Sequence, residues 1–354
     1  MAVIEKTLLD LDREELCSWV KECGDPAYRA DQVLEWIYRK GVHEFGKMSN
    51  LPLRFREKLA RDLPVTRSKV VDWVESVDGT QKATVALADG EIIETVLIPE
   101  PDRQTLCIST QVGCAVGCVF CASGLYGVRR NLTTGEILYQ FLIAVERLAQ
   151  EGKGRLTNLV VMGIGEPLHN YAALTRSIGT LNAPWGGQFG ARRMTVSTSG
   201  VVARIRQLAR EPWSIGLAIS LHAASEDLRQ RLVPGRGIGS VADILEAGRE
   251  YHLHKGRRVT VEYCLLDGVN DSREEANQLA SLVGGGSFKV NLIPHNPVEG
   301  LPYRPSRKHV AEQFRSVLDR RGVPVTLRRP RGDGVSAACG QLRVLSMEPC
   351  GRGP

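Results

Sequence analysis

Three cysteines stand in the run Cys114-Ala-Val-Gly-Cys118-Val-Phe-Cys121. A C-x3-C-x2-C spacing folds three thiolates round one loop, close enough to hold three irons of a cubane cluster. Soft thiolates are the natural ligands of iron–sulfur clusters. No further cysteine or histidine follows within the next few dozen residues, so the fourth iron is left open to substrate or cofactor. The competing reading is a structural zinc site with Cys107 as its fourth ligand. Zinc ribbons, however, usually pair two short C-x2-C knuckles, and only one is present here.

Further groups are spaced as if along one rim. Gly163-Ile-Gly165-Glu166-Pro167 offers a backbone that a ligand can approach and a carboxylate for an ammonium or a ribose hydroxyl. Alone it is a weak signal, since G-x-G turns are common after strands. Ser197-Thr-Ser-Gly and Ser220-Leu221-His222 bring hydroxyl and imidazole groups, although either run can equally be a helix-capping turn. Asn296 sits between two prolines that fix its loop; the plainer reading is a turn asparagine. Cys339 lies between small residues and a glycine, a setting for an accessible thiol rather than a buried structural one. Arg328, Arg329 and Arg331 precede it, placed to favour its thiolate or to hold phosphate, and Cys107 lies seven residues before Cys114. Cys17, Cys23, Cys264 and Cys350 lack such context.

These groups need a frame. From residue 105 onward, strand patterns (105–109, 158–162, 193–197, 215–220, 259–265, 289–293) alternate with amphipathic helices (134–149, 201–210, 241–252, 273–283, 307–321). Such alternation requires a mainly parallel sheet covered by helices. The fold class is therefore α/β, an incomplete (β/α)6 barrel with chemistry at the carboxyl ends of its strands. The cysteine loop follows the first strand and so belongs to that face. Residues 1–66 read as a small helical accessory domain, with helices at 31–40 and 53–63 and many basic residues, either a solvated face or an RNA-touching one. Residues 67–100 carry the hairpin signals Asp78-Gly79 and Asp89-Gly90, residues 101–345 form the core, and 346–354 are a tail.

Composition sets outer bounds. The chain has 354 residues, 43% of them apolar, enough for one large domain and one or two small ones. No signal-like segment or run of about eighteen apolar residues occurs, so neither secretion nor a membrane span is expected. Nine cysteines, bunched round one motif, argue against a disulfide scaffold and for a reducing cytoplasm. The net charge of +6 is compatible with an RNA partner without requiring one.

With these residues in view, the chain resembles the RlmN/Cfr family of radical S-adenosylmethionine (SAM) adenosine methyltransferases, and within it the RlmN branch. Glu94-Thr-Val-Leu-Ile-Pro-Glu, Thr105-Leu-Cys107-Ile-Ser, the cysteine triplet, Arg130-Asn-Leu-Thr, Met162-Gly-Ile-Gly-Glu-Pro, Ser197-Thr-Ser-Gly, Ile219-Ser-Leu-His, Asn291-Leu-Ile-Pro and Ala337-Ala-Cys339-Gly-Gln-Leu follow in family order. The resemblance implies a radical SAM barrel in which Cys114, Cys118 and Cys121 ligate a [4Fe–4S] cluster. It also implies that Gly165, Glu166, Ser197, Ser220, Leu221, His222 and Asn296 bind SAM. Cys339 would accept a methyl group, Cys107 would resolve it through a transient disulfide, and Glu94 would accept the proton. Adenine C2 is not appreciably acidic, so a radical route using two SAM molecules is implied. The implied product is C2-methyladenosine in 23S rRNA, at the peptidyl-transferase centre, and in tRNA. C8 methylation of the Cfr type is the alternative, and a non-catalytic zinc-bound RNA-binding module a third. An electron donor such as flavodoxin or ferredoxin and a monomeric state are expected. Two departures stand out: Gly235-Arg-Gly-Ile-Gly239 replaces an Asn-containing stretch, and His295 replaces an apolar or aromatic residue. Both are expected to affect substrate-side loops only.

Overall fold

The computed structural model describes residues 5–328 and 336–342. Arg329, Arg331, Cys350 and the expected tail lie outside the described residues. The amino-terminal part holds α1 (Arg13–Glu22), α2 (Tyr28–Tyr38) and α3 (Leu53–Asp62). Asp12 starts α1 by accepting from Glu15 N at 2.9 Å while the Glu15 carboxylate accepts from Asp12 N, a reciprocal cap. Leu16, Val20, Ala30, Val33, Leu34 and Ile37 give these helices their inner face. That face merges with the barrel core through Leu8 and Leu9. Asp10 then accepts from Gly135 N at 2.7 Å, satisfying one of the amides left free at a helix start. The accessory helices and the barrel thus share one core.

Next come β1 (Lys69–Glu75), β2 (Gln81–Ala86), β3 (Ile92–Glu100) and β4 (Arg103–Cys107), followed by the small ribbon of β5 (Gln111–Gly113) and β6 (Val128–Asn131). The alternating units are α4 (Thr134–Gln150), β7 (Asn158–Val161), α5 (Tyr171–Asn182), β8 (Met194–Thr198), α6 (Val202–Leu208), β9 (Gly216–Ser220), α7 (Glu226–Leu232), α8 (Val241–Lys255), β10 (Val259–Leu265), α9 (Arg273–Val283), β11 (Phe288–Pro294), α10 (Lys308–Arg320) and β12 (Val325–Leu327). One ten-stranded sheet runs β1-β2-β3-β4-β7-β8-β9-β10-β11-β12. Pairing is antiparallel from β1 to β4 and parallel from β4 onward. The incomplete barrel therefore stands, and the hairpin region extends its sheet.

Burial explains the pattern. In β10, Val259, Val261, Tyr263 and Leu265 are fully buried on one side and Glu262 and Cys264 nearly so on the other, as expected for a parallel strand covered on both faces. Six helices and strands escape the sequence pattern: α1, α5, α7, β5, β6 and β12. Helix α7 has seven residues and β12 three, too short for periodicity to speak. Among the described residues no helix is long and apolar enough to cross a membrane.

Candidate active site

Two adjoining cavities open at the carboxyl ends of the parallel strands. The larger is lined by Cys114, Cys118 and Cys121, by Gly165 and Glu166 after β7, by Ser197 and Ser199 at the end of β8, and by Ser220 and His222 at the end of β9. The smaller is lined by Cys107, Thr80, Ile98 and Asn296. Cys121, Arg328 and Cys339 line both. Leu221 and Glu94 line neither.

The loop after β7 is held by close packing. A Cβ at Gly163 would stand 2.7 Å from Ile108 O, and one at Gly165, whose φ is +111°, would stand 2.7 Å from Gln111 Cβ. Only glycine lets the turn lie this near the strand that feeds the cysteine loop. Glu166 N donates to Gln111 Oε1 at 2.8 Å. The Glu166 carboxylate accepts from Ser199 N at 2.7 Å and Leu168 N at 3.1 Å. Burial raises its pKa, and the bond from Ser199 opposes that shift. Ser109 ties this loop to the strand carrying Glu94, since its Oγ donates to Glu94 O at 2.7 Å and accepts from Ile164 N at 2.9 Å.

His222 has φ +63°, a left-handed conformation that turns its ring inward. Its Nδ1 accepts from Cys264 N at 3.0 Å, and Phe120 meets the ring edge-on at 5.0 Å between centroids. Burial, helped by the Arg229 charge, pulls its pKa down to about 3. Leu221 is buried in the wall, its N donating to Glu262 O at 3.0 Å and its carbonyl accepting from Arg229. Asn296 Nδ2 donates to Cys339 O at 3.0 Å.

The thiols differ in setting. Burial raises Cys114 to about 12 and Cys107 to about 12 and lifts Cys118 and Cys121 as well. All the described cysteines are free thiols. Cys107 belongs to an apolar group with Val96, Ile164, Ala337 and Leu342, whereas the cysteine triplet packs against Val116, Phe120, Leu228 and Leu232. Cys107 therefore packs with the loop bearing Cys339 and not in the apolar group round the triplet, although it shares the smaller cavity with Cys121. Arg328 Nη1 reaches Cys339 Sγ at 3.5 Å, and the Cys339 sulfur raises the Arg328 pKa. Glu94, 2% exposed, is matched by Lys82 at 2.7 Å.

Residues 6–65 match the family "Ribosomal RNA large subunit methyltransferase N-terminal domain", and residues 108–280 match the "Radical SAM superfamily". A probable dual-specificity RNA methyltransferase RlmN 3 of Opitutus terrae is 45% identical, covering 94% of this chain and 92% of its own. A probable dual-specificity RNA methyltransferase RlmN of Thermotoga maritima is also 45% identical, covering 96% and 98%. The chain belongs to the RlmN family of radical SAM RNA methyltransferases. A crystal structure of a radical SAM methyltransferase from Sphaerobacter thermophilus superposes with a TM-score of 0.93 at 46% identity, covering 96% of this chain and 99% of that one.

Membership of the RlmN family makes the protein an enzyme acting on RNA, with SAM and a [4Fe–4S] cluster as its cofactors. The donor set fits. Three soft thiols from one loop face a single cavity beside Gly165 and Glu166. The zinc-module reading falls with the enzyme assignment. Both sequence departures touch the site. A Cβ at Gly235 would stand 2.8 Å from Val116 Cα in the cysteine loop, and Gly239 N donates to Gly200 O at 3.0 Å. His295 lines the larger cavity, with Nδ1 at 3.8 Å from Cys264 Sγ. They were expected on substrate-side loops only, because nothing local to either stretch reveals what packs against it. Sequence reasoning also missed Cys264, Lys82, Phe120 and Arg229. Arg229 gave no local signal, because the seven-residue helix α7 that buries it is too short to show a stripe.

Proposed function

We propose that the protein methylates C2 of an adenosine in 23S rRNA and an adenosine in tRNA, with Cys339 as methyl carrier. The observation that carries this reading is that Cys339 lines both cavities. One thiol is shared between a wall suited to SAM and a wall holding Cys107.

In this reading Cys114, Cys118 and Cys121 hold the cluster. Gly165, Glu166, Ser197, Ser220, Leu221, His222 and Asn296 hold SAM through side chains or wall backbone. When bound, the reduced cluster supplies the electron that converts SAM to a 5′-deoxyadenosyl radical. Cys339 takes a methyl group from a first SAM, forming a C–S bond as the sulfonium C–S bond breaks. Arg328, at 3.5 Å, steadies the attacking sulfur. The 5′-deoxyadenosyl radical would take one hydrogen from the Cys339 S-methyl group, and the S–CH2 carbon so opened would bond to adenine C2, joining Cys339 to the RNA once the adduct gives up one electron to the cluster. Glu94 accepts the C2 proton, and Lys82 supplies the charge that keeps its carboxylate paired while buried. Cys107 then attacks Cys339, frees the methylated RNA and forms a disulfide that an external dithiol reduces.

Residues 1–66 form the RNA-binding accessory part, 67–100 its connection, and 101–345 the catalytic core. Arg54, Lys58 and neighbouring basic side chains on α3 engage phosphate. A cytoplasmic monomer served by a flavodoxin- or ferredoxin-type donor completes the proposal. Mass spectrometry of nucleosides in rRNA and tRNA from a deletion strain tests it. Loss of 2-methyladenosine from both RNAs is expected. Loss of 8-methyladenosine instead, or of no modified base, would overturn it.

A further inference from the structure

Arg229, on α7, is among the largest fully buried side chains of the molecule, 2% exposed. Its guanidinium donates to Ser220 O at 2.9 Å and also to Leu221 O and Ser199 O. It thereby ties the ends of β8 and β9 together. The nearby carboxylates are engaged elsewhere: Glu226 accepts from Val241 N at 2.7 Å, and Glu166 from Ser199 N at 2.7 Å. The cation is solvated by carbonyl dipoles in a place where removal from water costs several kcal/mol.

Helix α7 leans on the cysteine loop. Val119 N donates to Leu232 O at 3.1 Å, and Leu228 and Leu232 pack with Val116 and Phe120, the group against which Cys118 rests. Gly235, just beyond, permits the close approach to Val116. Burial lowers the Arg229 pKa to about 10, so it stays cationic at neutral pH; the Cys118 sulfur acts most strongly in the opposite direction, followed by the Glu226 and Glu166 carboxylates. A buried cation beside Cys118, hydrogen-bonded to carbonyls, calls for an anion that a protonated thiol does not supply. Three thiolates outweigh the charge of an oxidised cubane, and reduction adds one more negative charge.

We propose that Arg229 is the built-in counter-ion of the cluster: a positioning residue that favours cluster reduction by its charge while pinning two SAM-facing strand ends. This rests on the reading of Cys114, Cys118 and Cys121 as cluster ligands. In a site of low dielectric, a fixed positive charge stabilises the more negative redox state.

The test uses the full chain, reconstituted without oxygen, as wild type, Arg229→Met, Arg229→Gln, Arg229→Lys and Cys118→Ala. Iron and sulfide content of wild type and Cys118→Ala checks the ligand reading on its own. Cluster reduction is then titrated by electron paramagnetic resonance without SAM. Both neutral variants should disfavour reduction at least tenfold, about 59 mV for one electron. Arg229→Lys, which keeps the charge, should stay within about threefold of wild type. Equal reduction in wild type and the neutral variants would overturn the proposal. So would Arg229→Lys behaving as the neutral variants do. If Arg229→Met fails to fold, Arg229→Gln, which retains donors for the carbonyls, decides the same question.

Discussion

On the wall formed by the ends of β7, β8 and β9, polar side chains are locked to backbone. Glu166 is held by Ser199 and Leu168, His222 by Cys264, and Arg229 by Ser199, Ser220 and Leu221. On the facing wall Cys339 is exposed and sits in a segment joined to the barrel by scattered bonds: Asn296 to Cys339 O, Ser123 Oγ to Leu342 O, and Ala122 N to Gly340 O. No strand ladder holds residues 336–342. A group that must bind one ligand in one pose is served by buried hydrogen bonds, whereas a thiol that serves two cavities is served by a loop. Mutations on the two walls should therefore fail differently.

The largest contrast lies among the cysteines. Cys339→Ala should abolish methylation and form no protein–RNA adduct, while iron content and SAM binding stay at wild-type levels. Cys107→Ala should still methylate Cys339 and join it to RNA, then stall for want of a resolving thiol. Denaturing gels with labelled RNA should show the covalent species only in Cys107→Ala. Iron loss in Cys107→Ala would place that cysteine on the cluster side and break the division between the walls.

A smaller effect is expected on the locked wall. Glu166→Gln turns one acceptor of two backbone N–H groups into a donor, leaving a buried amide unsatisfied. The cost of about 1–3 kcal/mol should appear as SAM or S-adenosylhomocysteine binding weakened roughly 10- to 100-fold. Calorimetry on the cluster-loaded protein checks it. Unchanged affinity would mean that the carboxylate does not organise the SAM wall.

Lys82→Met should leave SAM binding intact and slow base removal of the proton, since Glu94 would lose its buried partner. The readout is a larger kinetic isotope effect with RNA deuterated at C2 of the target adenosine. An unchanged isotope effect with an unchanged rate would detach Lys82 from the chemistry.

The barrel was legible because its strands are long enough to show β-branched runs and its helices long enough to show a stripe. Strand 259–265 and helix 273–283 agree with the structure to the residue. Helix α7 was not legible, and its absence hid Arg229. The cysteine triplet stood out by local spacing and Gly165 and Glu166 only as a weak turn signal; the structure brings all five to one cavity. Lys82 was not: on β2 it is one basic residue in a half-exposed alternation, and its partner Glu94 is known only once the register Ala83–Thr95 is drawn. Likewise Cys264 looks incidental until β10 is laid beside β11, which brings it to His295. Contacts that depend on strand register escape a reading made one segment at a time.

The last contrast vanishes at neutral pH and grows in acid. His222 is neutral where it is buried: Nδ1 accepts from Cys264 N, Phe120 covers the ring, and Arg229 repels a second positive charge. Its folded pKa of about 3 lies below the roughly 6.5 of an unfolded histidine. Between those values the unfolded chain binds more protons, so stability rises with pH and is lost as pH falls from 6.5 towards 3. One such group amounts to about 2 kcal/mol at pH 5. Asparagine tolerates the left-handed backbone and puts Oδ1 where Nδ1 stood, keeping the acceptor while removing the titration. His222→Asn should therefore match wild type in denaturant melts near pH 8 and lose less stability by pH 5. The carboxylates and remaining histidines are common to both proteins, so the difference isolates this ring. Parallel acid losses in the two proteins would mean that the ring takes up its proton without unfolding the wall, and the locked half of the site would then be softer than its hydrogen bonds imply.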